Sequence, residues 1–213
     1  MTRSAPSGAA SAETIARLRR LGGRGSAAAA ASRAERCDLC GTTLPDDHRH
    51  MLQTDERRIL CVCEPCLAMR AGEPGLRPTG NRTVPLDGFE LDDELWARFA
   101  IPIGLAFFLR SQASGAVVAL YPSPAGATES ELPLQVWEEL VARNPVLRTL
   151  ETDVEALVVN RLQRPPRFAI VPVDRCYELV GTIKATWTGI SGGTAVEDAV
   201  AAFFDRLRPR GAQ

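Results

Sequence analysis

Cys37-Asp38-Leu39-Cys40-Gly41 and, farther along, Cys61-Val62-Cys63-Glu64-Pro65-Cys66 are the stretches that decide how the N-terminal part of this chain folds. A gap of two residues lets both thiolates of one tight turn reach a single ion at roughly 2.3 Å, and two such turns complete a tetrahedron. Cys37, Cys40, Cys63 and Cys66 are therefore the expected ligands of one structural zinc ion. Iron of the rubredoxin kind suits the second pair less well, because no glycine follows it. Gly41 stands where the turn after a second ligand demands a left-handed residue, a conformation glycine adopts without steric cost. Pro65 and the helix-forming Leu67, Ala68, Met69 and Arg70 place Cys66 in the first turn of a short helix that ends at Gly72. Backbone amides and the helix dipole favour a thiolate there.

A cysteine knuckle, a hairpin through Met51, Leu52 and Ile59, Leu60, and then a ligand-bearing helix resemble the treble-clef zinc finger, with the plain zinc ribbon as its structural rival. Three nearby residues leave alternatives open. Cys61 shares a strand face with Cys63 if the segment is extended; it is a buried thiol that does not touch the ion, a replacement for Cys63, or a redox-sensitive neighbour. His48 and His50 also share a face. A histidine beside a treble clef is a feature of HNH nucleases, but their downstream asparagine and histidine are missing here, so an exposed loop is the simpler expectation.

Moving outward, residues 1–34 are rich in Ala, Ser, Gly and Arg and read as a disordered leader. Residues 35–72 form a unit too short to bury a core without a staple, which metal would supply. The Gly and Pro punctuation of 73–88 marks a linker. Residues 89–208 read as an α+β domain: an antiparallel sheet with helices packed on one face. Its elements follow in order. Asp92 caps a short helix carrying Leu95, Trp96 and Phe99, and the apolar runs 103–109 and 116–121 make a hairpin. A helix from Pro133 stops at Asn144-Pro145, and a second hairpin joins 155–162 to 168–173. Asp174 is expected to cap a helix bearing Cys176 on its core face, and Thr194 with Glu197 forms a capping box for the last helix. Residues 121–130 read as a long Pro/Gly loop, the usual position of a binding surface.

Charge bounds the partners. Residues 1–36 carry seven Arg against two Glu, whereas residues 73–213 carry fourteen basic against eighteen acidic side chains. Nucleic-acid binding, which draws on counterion release by a basic face, is thus disfavoured for the body. No window approaches the roughly 18 consecutive apolar residues that a membrane-spanning helix needs. The cytoplasm is the expected compartment, and there closely spaced cysteines serve as metal ligands or redox groups more often than as structural disulfides.

Five segments are familiar together: 37–41, 60–66, Ile101-Pro102-Ile103-Gly104-Leu105-Ala106-Phe107-Phe108, 121–130 and Asp153-Val154-Glu155-Ala156-Leu157. They resemble an actinobacterial family of unknown function encoded beside uptake nickel-iron hydrogenases and their maturation factors. The resemblance implies a protein partner among hydrogenase subunits or maturation factors, and it supplies no catalytic residue. The expected function is accordingly that of a non-enzymatic zinc-binding accessory protein. A redox or metal-transfer role for the cysteine cluster is the alternative, and a zinc-finger nucleic-acid binder a second one.

Overall fold

A computed structural model describes residues 34–123, 126–130, 132–188 and 193–207. The expected leader lies, but for its last residue, outside that set. Strand β1 (Arg49–Gln53) pairs antiparallel with β2 (Arg58–Val62), setting His50 directly opposite Cys61. Helix α1 (Glu64–Arg70) leaves the end of β2 almost at once. The stretch read as a linker contributes two further strands. Of these, β3 (Leu76–Pro78) pairs with the free side of β1, and β4 (Val84–Pro85) pairs with the second sheet. Met51, Leu60, Val62, Leu44 and Cys37 make the small core between the sheet and the knuckle.

The larger part begins with α2 (Asp93–Arg98) and the hairpin of β5 (Leu105–Ser111) and β6 (Ala116–Ser123). Then come β7 (Gly126–Ser130), α3 (Leu134–Arg143), a 3-10 turn (Pro145–Thr149) and the second hairpin, β8 (Glu155–Asn160) with β9 (Arg167–Pro172). Helices α4 (Val173–Thr186) and α5 (Thr194–Arg206) close the chain. The strands form one antiparallel sheet in the order β4-β9-β8-β5-β6-β7. The α+β class and both hairpins are as the sequence implies.

The helices do not keep to one face. Successive residues of a strand point to opposite sides. Leu105, Phe107 and Leu109 enter a core with Cys176, Leu179 and Ile183 of α4 and Val200, Phe203 and Phe204 of α5. Ala106 and Phe108 enter another, with Leu95 of α2 and Val136, Trp137 and Leu140 of α3. The body is a three-layer arrangement. Its central strands are apolar without alternation because both of their faces are covered.

The other corrections are local. Within the segment read as a loop, 121–123 and 126–130 are strand: β6 runs on to Ser123, and β7 pairs back along it from Ser123 opposite Gly126 to Ala119 opposite Ser130. Asp92 does cap α2, accepting from the Leu95 N–H at 2.7 Å. Asp174 and Thr194, by contrast, lie inside their helices, whose N-caps are Pro172 and Gly193. The small sheet docks on the body through Arg57, which donates to Glu129 at 2.9 Å, through Arg77, which donates to Glu151 at 3.1 Å, and through Ile59 packed against the α4–α5 core. Among the described residues no helix is long and apolar enough to cross a membrane.

Candidate metal centre

Residues 36–43 close on themselves through a bridge between Arg36 and Thr43. Inside that loop the Cys37 N–H donates to Thr42 O, and the Gly41 N–H donates to Cys37 O, each at 2.8 Å. Gly41 has φ +76°, so the turn takes the left-handed backbone that the sequence assigns it. Asp38 ties the knuckle to β2: its N–H donates to Cys61 O at 2.8 Å, and its carboxylate accepts from the Cys61 N–H at 2.7 Å. The second pair rests on α1. Cys63 is its N-cap, with an extended backbone, and Cys66 sits in the first turn just after Pro65.

These two supports bring the sulfurs of Cys37, Cys40, Cys63 and Cys66 within 4.8 Å of one another. Across the pairs, Cys40 Sγ and Cys63 Sγ stand 3.7 Å apart. The order is knuckle, hairpin, helix, and the four-cysteine cluster it builds fits a zinc finger. Cys37 is buried, Cys63 and Cys66 are half-buried, and Cys40 is exposed at the edge of the cluster.

Electrostatics explains what such a cluster requires. Burial opposes a charge on Cys37, but backbone N–H groups of Cys63, Leu39 and Cys40 directed at its sulfur bring its pKa down to about 6. Hydrogen bonding with the Cys63 and Cys40 thiols, with burial, pushes Cys66 up to about 12. At Cys40 the Thr42 N–H favours the thiolate, yet the Cys37 and Cys63 thiols turn the balance upward. The crowded sulfurs on their own thus favour negative charge at Cys37 and disfavour it at Cys40 and Cys66. A divalent cation supplies the positive charge that lets a thiolate set form outright, so the donor set fits a metal ion.

Cys61 does not join this group. Its sulfur falls into a second set with ring nitrogens of His48 and His50, again within 4.8 Å of one another. His50 is held by Asp174 through a hydrogen bond across 124 residues of sequence, a contact that residue spacing does not reveal. Cys176 is fully buried in the α4–α5 core, as a core thiol should be.

The family of unknown function DUF5947 matches residues 36–211, and the chain belongs to that family. No curated protein and no solved structure matches the chain.

Proposed function

We propose, for this member of the family, that Cys37, Cys40, Cys63 and Cys66 hold one structural zinc ion that keeps residues 35–72 folded, and that the chain acts through contacts with other proteins. The convergence of four thiols from a knuckle and a helix N-terminus carries this reading. Zinc is favoured because tetrahedral four-thiolate sites in small finger modules are its usual setting, and a site closed by four protein ligands is structural in character. When bound, the ion supplies positive charge and a cross-link between the knuckle and α1. The chain's own groups then orient the sulfurs through the amides of Leu39, Cys40 and Cys63. We place the module at 35–72, the passage between sheets at 73–88 and the body at 89–208.

The partner belongs, on the resemblance of the five segments described above, to the machinery that assembles or serves a nickel-iron hydrogenase in the cytoplasm. A groove of about 600 Å³ between α3 and the β5–β6 hairpin, lined by Trp137, Val141, Val117 and Arg148, is a surface such a partner could use. Elemental analysis of freshly purified chain tests the metal half of the proposal. One zinc per four-thiol cluster, lost on Cys40→Ser, is the expected result; a colourless protein without zinc, or unchanged zinc in Cys40→Ser, overturns it. For the partner half, affinity purification from cells making hydrogenase should enrich its subunits or maturation factors, and their absence from repeated purifications removes that assignment.

A second reading has one observation in its favour. Cys40 is exposed while its sulfur belongs to the cluster, which gives an incoming thiol access to the ion, as transfer of metal requires. Ready exchange of bound zinc with a thiol-rich acceptor, or iron and colour in the purified protein, would make transfer or redox chemistry the leading account.

A further inference from the structure

Beside the four-thiol cluster stands a second group of metal-ligating side chains, independent of it in donors. His50 on β1 lies opposite Cys61 on β2 in the strand register, so the two side chains project from one face of the hairpin. His48 precedes β1, and its ring meets that of His50 edge-on with centroids 4.7 Å apart. Each of the three residues places one ligand atom within 4.8 Å of the others.

The orientation of the two rings is that of ligands. The Nδ1–H of His50 donates to Asp174 Oδ2 at 2.9 Å. Nδ1 of His48 lies 3.0 Å from the carbonyl oxygen of Pro45, to which it donates. Metal-bound histidines almost always give their second N–H to a carboxylate or a backbone carbonyl in this way, which fixes the tautomer and leaves the other nitrogen's lone pair for the ion. Both Nε2 atoms are left for that purpose. The His48 side chain is only 6% exposed, and its Nε2 is buried with no hydrogen-bond partner among the described residues; Glu35 Oε2 stands 3.4 Å away without the geometry of a bond. A buried imidazole nitrogen left unpaired in this way forfeits its hydrogen bond unless something else fills its lone pair. His48 and His50 also line a cleft of about 110 Å³ between the small sheet and the start of α4, walled by Thr79, Asn81, Asp174 and Arg175.

We propose that His48, His50 and Cys61 form a second metal site, selective for a borderline-soft divalent cation such as zinc, with Asp174 positioning His50 and with a coordination position open to the cleft. Two imidazoles and one thiolate are a donor set suited to zinc, and three protein ligands with one open position are the arrangement of sites that take up an exogenous ligand. Binding displaces the Cys61 thiol proton to solvent and needs both histidines neutral.

Titration of the full, metal-stripped chain with Zn2+ against a chromophoric chelator tests this site apart from the first one. Two equivalents are expected, the second the weaker. His50→Gln and Cys61→Ala should each abolish the second while keeping the first, and Cys40→Ser should remove the first. Asp174→Asn, which keeps the side-chain volume, should weaken the second site 10–100-fold and leave the first unchanged, a split that mere destabilisation of the fold would not produce. X-ray absorption of the two-zinc form should show mixed nitrogen and sulfur neighbours, and the one-zinc form of His50→Gln sulfur alone. A single equivalent in the unaltered chain overturns the proposal. So does a second equivalent that survives both His50→Gln and Cys61→Ala, or loss of the all-sulfur site in Cys61→Ala, which would make Cys61 a ligand of the first. Should His50→Gln fail to fold, Asp174→Asn decides by the same affinity split.

Discussion

Gly41 shows how much a single residue contributes to the metal centre. Its φ of +76° lies in the left-handed region, and a Cβ there would meet nothing within 4 Å, so the cost of a side chain is backbone strain and not collision. Gly41→Ala should therefore cost about 1–2 kcal/mol. If the knuckle folds together with a zinc ion, as proposed, zinc affinity should fall roughly five- to thirtyfold, read by chelator competition; unchanged affinity would mean the turn does not constrain the sulfurs. A second residue-scale test lies in the body. Arg82 grips Glu155 with two bonds, Nε to Oε1 at 2.7 Å and Nη2 to Oε2 at 2.5 Å, and the Glu155 side chain is only 5% exposed. Burial works against the charge of Glu155, but the guanidinium outweighs it and holds the carboxyl below its ordinary value. A carboxyl depressed in the folded state contributes stability above its unfolded pKa of about 4.3, and that contribution is lost as pH falls through the folded value. Arg82→Ala should cost about 2–3 kcal/mol at pH 7 and flatten the loss of stability on acidification, measured by urea unfolding at several pH values. A parallel pH profile in the variant would show that the pair is electrostatically idle. The convergence of the four cysteines was legible at this scale because two CxxC pairs each hold their thiols in one tight turn. The His50–Asp174 pair was not, since it depends on how the small sheet docks against the start of α4.

At the scale of elements, the strands were legible and their surroundings were not. The runs Leu105-Ala106-Phe107-Phe108-Leu109 and Ala156-Leu157-Val158-Val159 mark β5 and β8 by their apolar, β-branched and aromatic content. Their lack of polar alternation was the sign that helices cover both faces, and the hairpin order, which by itself suggests a one-sided sheet, masked it. The stretch from Tyr121 to Ser130 misread for a related reason: Pro122 and Gly126 punctuate like a loop, yet Pro122 lies in β6 opposite Ala127 of β7, the outermost strand of the sheet. The expected caps at Asp174 and Thr194 failed because Pro172 and Gly193 end the preceding segments one or two residues earlier. The central strand should then be sensitive on both sides. Phe108 is fully buried, stacked on Trp137 at 5.8 Å and against Phe99 at 5.1 Å between ring centroids. Phe108→Ala should lower stability by about 3–5 kcal/mol, seen as an earlier denaturant midpoint, whereas Met69→Ala on the exposed side of α1 should change it by less than about 0.5 kcal/mol.

On the proposed function, the molecule joins a part that an ion holds together to a part held by its own apolar core. The small core rests on five buried residues, of which Cys37 belongs to the thiol cluster and Val62 adjoins Cys63 in sequence, while the body encloses two extensive apolar layers around a six-stranded sheet. A domain of the first size seldom stays folded without a metal or a disulfide, and ligand binding to the folded form alone is folding free energy. Removing the ion should thus melt residues 35–72 and leave the body standing. Hydrogen exchange on the full chain with and without chelator separates the two. Amides of Cys37, Gly41 and Cys61, whose bonds define the knuckle, should lose protection together with β1 and β2, while those of β8 keep theirs. The docking contacts Arg57–Glu129, Arg77–Glu151 and His50–Asp174 should dissolve with the module, exposing the face of α4 that Asp174 occupies. Loss of protection confined to the knuckle would mean instead that packing against the body, and not the ion, holds the small sheet together; collapse of β8 as well would make the two parts a single cooperative unit, and a metal switch at Cys37, Cys40, Cys63 and Cys66 would then act on the entire fold.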